Sequence, residues 1–384
     1  MSIEQNPERN PQQNPGQSPE QTHGQFPPQR QQPTLLDAVA ELEAVVAAGD
    51  DERLGPALGL VGGLFGPAEP AERQAAGPRL AALLPDAPPF PRAHLAMITG
   101  ACVEYGADPV ACSGPVLAGL RGALTGAQRL VERWAQTGGG PLPDWEEDDP
   151  AEAHARIEDP AHLDEWNAHL AVVAWWTLHL WQQAAWAVYA HAPVRAEARA
   201  SGVTAVLLEL AGRYEGGQHD LKGLAHLAQV LDDEPLLVLD RPTGTGYLLR
   251  MSGLSDTFQL HTLLADLLIG GGHLPGTPQD PEVVALARTE FLDGRRLIAT
   301  GAFNLVAPDG SWLWNEGTPD DIPVLDGVRT LVLEPLPYER TWSAGRFIQE
   351  IPGDLRLERV LDPVETAPLL ARMVPGISVV GAFG

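Results

Sequence analysis

The run LDDEPLLVLD, Leu231–Asp240, divides two kinds of sequence. Its first half is acidic and ends in a helix-breaking proline, while its second half is a short apolar run closed by an aspartate, which reads as a strand. Downstream, GYLLRMSG, LIATGAFNLVAP, SWLWNE, VRTLVLEP and DLRLERVL continue as short, β-rich, partly alternating segments between turn residues, the pattern of antiparallel strands. Helices are expected between them. Asp256 and Gln259 have capping-box spacing ahead of TFQLHTLLADLLIGGG, and Pro281 opens PEVVALARTEF. PDGS, Pro308–Ser311, reads as a hairpin turn that brings Phe303 and Leu305 close to Trp312 and Trp314.

Upstream of Leu231 the punctuation is helical. TLLDAVAELEAVVAAGD places Thr34 and Asp37 as an N-terminal cap, repeats apolar residues at three and four, and ends in Gly49 just past the last turn. Ala- and Leu-rich helices with glycines follow as far as Val230; the glycines lower intrinsic helicity but let helices approach closely. One long loop, GGGPLPDWEEDDP over 138–150, interrupts them and reads as a solvated connector or a partner-facing acidic loop. Before Pro33 the chain is Asn, Gln and Pro with Ile3 and Phe26 among very few apolar residues, too little to offset the entropy of ordering it. The expected architecture is α+β: a disordered tail over 1–33, an all-helical, bundle-like domain over 34–230, and an α+β domain with a mostly antiparallel sheet over 231–384. No internal repeat of fixed period is visible.

Charge narrows the partners. Against 25 basic residues stand 51 acidic ones, a formal net charge of -26, and that field repels nucleic-acid backbones and anionic membranes. Lys222 is the only lysine, so the positive charge is almost all arginine, as in high-GC bacteria of the actinobacterial type. Any Schiff-base lysine would have to be Lys222. Two cysteines, Cys102 and Cys112, make no disulfide framework, and the N-terminus has no apolar signal run, so the expected residence is the cytoplasm.

The segment AVVAWWTLHLWQQAAWAVYAHAP, Ala171–Pro193, holds four of the ten tryptophans and no charge. It is long enough to span a membrane, but His179, Gln182 and Gln183 fall at its centre, where lipid offers them no partner, so stable insertion is not expected. A helix apolar nearly all round is the buried centre of a bundle. Its alternative use is a ligand pocket, with His179 as polar handle among Trp175, Trp176 and Trp186.

His162, Glu165 and His169 fall on one helical face and could offer two imidazoles and a carboxylate to a metal. The two histidines are about 10 Å apart along the axis, too far for one zinc, and the tighter HExxH spacing is absent. Cys112 near a helix start could be an activated thiol, although buried cysteines more often act as small apolar residues. DRPTGTGYLL, from Asp240, lacks the residues of a phosphate loop and reads as a hairpin. Trp312 and Trp314, two apart on an expected strand, share a face and offer an interaction patch if that face is open. No motif specifies a reaction or a cofactor. The reading that follows is a non-enzymatic cytosolic protein acting through protein–protein contact; the alternative is an enzyme or a small-molecule or metal-binding protein with its site among the His- and Trp-rich helices around 154–191.

Overall fold

The computed structural model describes residues 33–158, 167–213, 219–291, 294 and 296–376. The expected tail, apart from Pro33, lies outside them. From Thr34 onward the chain is one compact unit.

Helices α1 (Leu35–Ala48), α2 (Asp51–Phe65), α3 (Pro70–Leu83), α4 (Pro89–Glu104) and α5 (Pro109–Gln136) come first, followed by α6 (Pro150–Ile157), α7 (Ala168–Tyr189), α8 (Ala192–Ala200), α9 (Val203–Ala211) and α10 (Lys222–Gln229). The first cap forms as expected: Asp37 N–H donates to Thr34 Oγ1 at 3.2 Å and Thr34 N–H to Asp37 Oδ2 at 3.0 Å, while Gly49 closes α1 at φ 62°. Four of these helices, α3 to α6, start on a proline, whose missing N–H costs nothing at a position with no intrahelical acceptor. Helix α7 is the hub, packed along α4 on one side and α5 on the other.

Glycine makes those contacts close. A Cβ on Gly100 would lie 2.8 Å from the Ala184 Cα, one on Gly126 2.5 Å from the Ala174 Cβ, and one on Gly119 only 2.0 Å from the Trp181 ring. No described helix is long and apolar enough to cross a membrane.

The second half holds β1 (Glu234–Asp240), β2 (Thr245–Ser252), α11 (Thr257–Ala265), which runs on through a π turn at Asp266–Gly270, and α12 (Pro281–Arg288). Then come β3 (Ile298–Thr300), β4 (Asn304–Val306), β5 (Val324–Leu325), β6 (Val328–Glu334), β7 (Thr341–Ser343), β8 (Asp354–Leu361) and α13 (Pro363–Leu370). The main sheet runs β4-β6-β1-β2-β8 with β5 paired to β6; β3 and β7 make a separate ribbon. All pairs are antiparallel except β1 with β6, where Leu236 faces Arg329. The fold is therefore α+β. Leu260, Leu263 and Leu264 of α11 bury one sheet face with Leu236, Val238 and Leu331, and Leu369 and Leu370 of α13 cover Leu239 and Val332 on the other.

Two expectations are refined by local chemistry. The Asp256 carboxylate accepts the Gln259 N–H at 2.8 Å, but Gln259 reaches back to the Ser255 N–H, one residue further than a reciprocal box requires. SWLWNE forms no strand beyond a single bridge from Trp312 to Val306, because the chain turns at once, Gly317 N–H donating to the Trp314 carbonyl at 3.2 Å. The two tryptophans consequently part company. Trp312 packs half-buried beside Val306 and Met373, and Trp314 is 76% exposed.

Candidate functional site: a furrow along α7

Asn167 caps α7 by accepting the Leu170 N–H at 3.1 Å, and the helix then buries most of its surface. Trp175 is held in the core by donating Nε1–H to the Pro143 carbonyl at 2.9 Å, and the Trp134 indole donates to Pro141 at 2.9 Å. The 138–150 loop is therefore pinned on its proline side, while Glu146, Glu147, Asp148 and Asp149 face solvent.

The histidines separate onto different faces. His162 and Glu165 lie outside the described residues. His169 is exposed, its ring 6.4 Å from that of His154 on α6. His179, ten residues on, is about 15 Å further along the helix. It stacks on Trp145 at 3.8 Å, and burial holds its imidazole below the usual range. Next to it is a histidine that sequence reasoning passed over: His219 is buried edge-on to Trp175 at 4.5 Å, and burial pushes it down to about 4. Trp186 packs half-buried over Gly223. Among the described residues, no group of three or more His, Cys, Asp or Glu side chains could hold a metal ion.

Cys112 lies in the first turn of α5, but its thiol is fully buried, as is that of Cys102. Burial outweighs the helix end and pushes the two up to about 11 and about 12. Neither is an activated nucleophile.

The open space lies along the flanks of α7. Between the N-terminus of α4, α6 and α7 is a cleft of about 570 Å³ walled by Pro88–Pro91, Val172 and Trp176, with His154 and His169 as its polar groups. Through Pro89 and Val173 it adjoins a second cleft, of about 320 Å³, over Gly119, Gly122, Thr177 and Trp181. Through Ala118, Gly122 and Leu170 that one adjoins a third, of about 430 Å³, beside Arg121, Thr125, Arg129 and Asn167. Leu170, at 47%, and Phe90, at 52%, stand exposed along it. The floor exists because α5 presents Gly119, Gly122 and Gly126 to α7. Two of these are occupied by the packing described above, whereas a Cβ on Gly122 would meet nothing within 4 Å.

A second pocket, of about 310 Å³, was not foreseen. It gathers Lys222 and His226 of α10, Asp256, Phe258, Glu316 and the 343–347 loop. Its buried carboxylate is already engaged: Asp256 accepts from the Gln259 and Phe347 N–H groups and from the Ser255 hydroxyl, and burial raises its pKa. Arg346 is likewise spent on the carbonyls of Leu286, Thr289, Glu290 and Gln349. The signals for this pocket, the sole lysine and the Asp256 cap, were in the sequence as isolated observations.

No protein-family model, curated protein or solved structure matches the chain.

Proposed function

We propose that the protein is a non-enzymatic binding protein, resident in a bacterial cytoplasm, that holds an apolar-bodied small molecule in the furrow along α7. The observation that carries this reading is the continuity of three clefts on one helix, each within or close to the size range of ligand sites, the first two lined mainly by apolar side chains and the third bringing most of the polar groups. His154, His169 and Trp176 are then pocket residues, and His179, Trp175 and Trp186 support the wall from behind.

Nile red, a neutral apolar dye, tests it. Saturable emission enhancement at one dye per chain is expected, and Gly122→Phe should abolish it, because that side chain projects into open space within the furrow. No uptake, or uptake indifferent to Gly122→Phe, refutes the reading.

A second reading, contact with a protein partner, is supported by Trp314 at 76% exposure and Tyr338 at 53%. Trp314→Ser should then weaken a stoichiometric complex recovered under native conditions without changing the unfolding midpoint.

A further inference from the structure

The furrow has a chemical polarity that its apolar floor does not require. Acidic residues outnumber basic ones by 51 to 25 in this chain, yet among the described residues that line the three clefts none is an aspartate or glutamate. Among the described residues, the charged side chains that line them are Arg92, Arg121 and Arg129. Arg92 is committed to the carbonyls of Ala87 and Pro85. Arg121 gives one N–H to the Ser201 carbonyl, and among the described residues neither Arg121 nor Arg129 forms an ion pair.

Arg121, Thr125 and Arg129 stand four apart on α5, so one face presents a hydroxyl with a guanidinium one turn to either side. Asn167 and the first turn of α7, a helix of 22 residues, lie across from them and add the positive end of the helix dipole. From this cradle the apolar floor runs along α7 through Ala174 and Thr177 to Trp181. The ten residues from Ala171 to Trp181 span about 15 Å. That matches an extended alkyl chain of about twelve carbons, given carbon–carbon bonds of about 1.52 Å.

We infer that the furrow takes a single-chain amphiphile with an anionic head, the head held over Thr125 between Arg121 and Arg129 and the tail lying on Gly122, Ala174 and Trp181. The inference rests on the small-molecule reading above, and its test separates the two. Titration of the whole protein with dodecanoate, followed by calorimetry and by Trp emission, is compared with titration by dodecanol, which has the same tail and no charge.

Dodecanoate is expected to bind at one per chain and at least tenfold more tightly than dodecanol. Arg121→Gln with Arg129→Gln should weaken dodecanoate about tenfold, as two exposed charge contacts imply, and leave dodecanol unchanged. Both side chains are exposed, so the double variant keeps the fold. Gly122→Phe should abolish both ligands. Equal affinity for acid and alcohol, or a double variant that still binds dodecanoate normally, overturns the anionic head while Nile red uptake leaves the furrow standing; loss of all three probes overturns both.

Discussion

Gly119→Ala and Gly122→Ala, three residues apart on α5, should move stability in opposite directions. Each replaces a helix-interior glycine by alanine, and each gains about 1 kcal/mol of helix propensity. At Gly122 nothing opposes that gain, since the new methyl group meets no atom within 4 Å. At Gly119 the methyl would lie 2.0 Å from Trp181 Cη2 and 2.2 Å from Cζ3. Ordinary carbon contact needs about 3.5 Å, so the indole or the α5–α7 spacing must give by roughly 1.5 Å. Trp181 is 4% exposed and cannot swing out without uncovering the core. Overpacking of this kind costs about 1–3 kcal/mol. Because the propensity gain is common to both variants, the gap between them is the steric cost alone, about 1–3 kcal/mol in favour of Gly122→Ala. Urea unfolding followed by Trp emission measures it, and Gly119→Ala combined with Trp181→Leu should recover most of the loss. Midpoints within experimental error of each other would refute the account of why α5 is glycine-rich.

Arg195, 2% exposed, is held by Asp232 in a two-pronged pair at 2.9 and 2.6 Å and by the Tyr189 carbonyl, so Asp232→Ala strands a buried cation and should cost about 3–5 kcal/mol in the same assay; a loss below about 1 kcal/mol would show the pair to be dispensable. Burial pushes His219 down to about 4 and His261, whose Nε2 accepts the Ala302 N–H at 2.9 Å, down to about 3. Unfolded histidine takes a proton near pH 6.5 and these folded ones do not, so the unfolded state binds more protons and stability is lost as pH falls from about 6.5 towards 4, at up to about 1.4 kcal/mol per unit for each. A urea midpoint flat between pH 7 and pH 5 would contradict the burial of both rings.

Local chemistry was readable from the chain, and pairing across the chain was not. The cap at Thr34, the left-handed Gly49, the Asp256 cap and the turn after Asp240 are each decided by residues within five positions of one another, and each formed where its residues stand. The parallel register of β1 on β6 joins Leu236 to Arg329, a pairing that no turn residue encodes, so strand patterns alone reach as far as a mostly antiparallel sheet and not to the one parallel pair within it. Trp312 and Trp314 show the same limit at short range. Alternation places them on one face only while the strand continues, and the turn fixed by Gly317 ends it between them and any common surface.

The furrow sharpens that distinction. Helical spacing alone puts Arg121, Thr125 and Arg129 on one face of α5, and it puts Leu170, Ala174 and Trp181 on one face of α7; both stripes could have been drawn on a wheel. What gives them meaning is the company they keep after folding. The acid-rich loop at 138–150 is anchored through Trp175 and Trp134 with its carboxylates turned to solvent, and among the described residues no acidic side chain lines any of the three clefts. In a chain with twice as many acids as bases, clefts whose described lining carries arginines and no carboxylate reflect the arrangement and not the composition. The histidine cluster illustrates the converse: proximity in sequence suggested a shared site, but a helix distributes neighbours around its axis. It sends His169 to the cleft beside His154 and His179 to the stack under Trp145. Residues that looked like one constellation therefore serve two walls of the same helix, and the polar groups that converge belong to α5, where the sequence showed only a glycine-weakened helix.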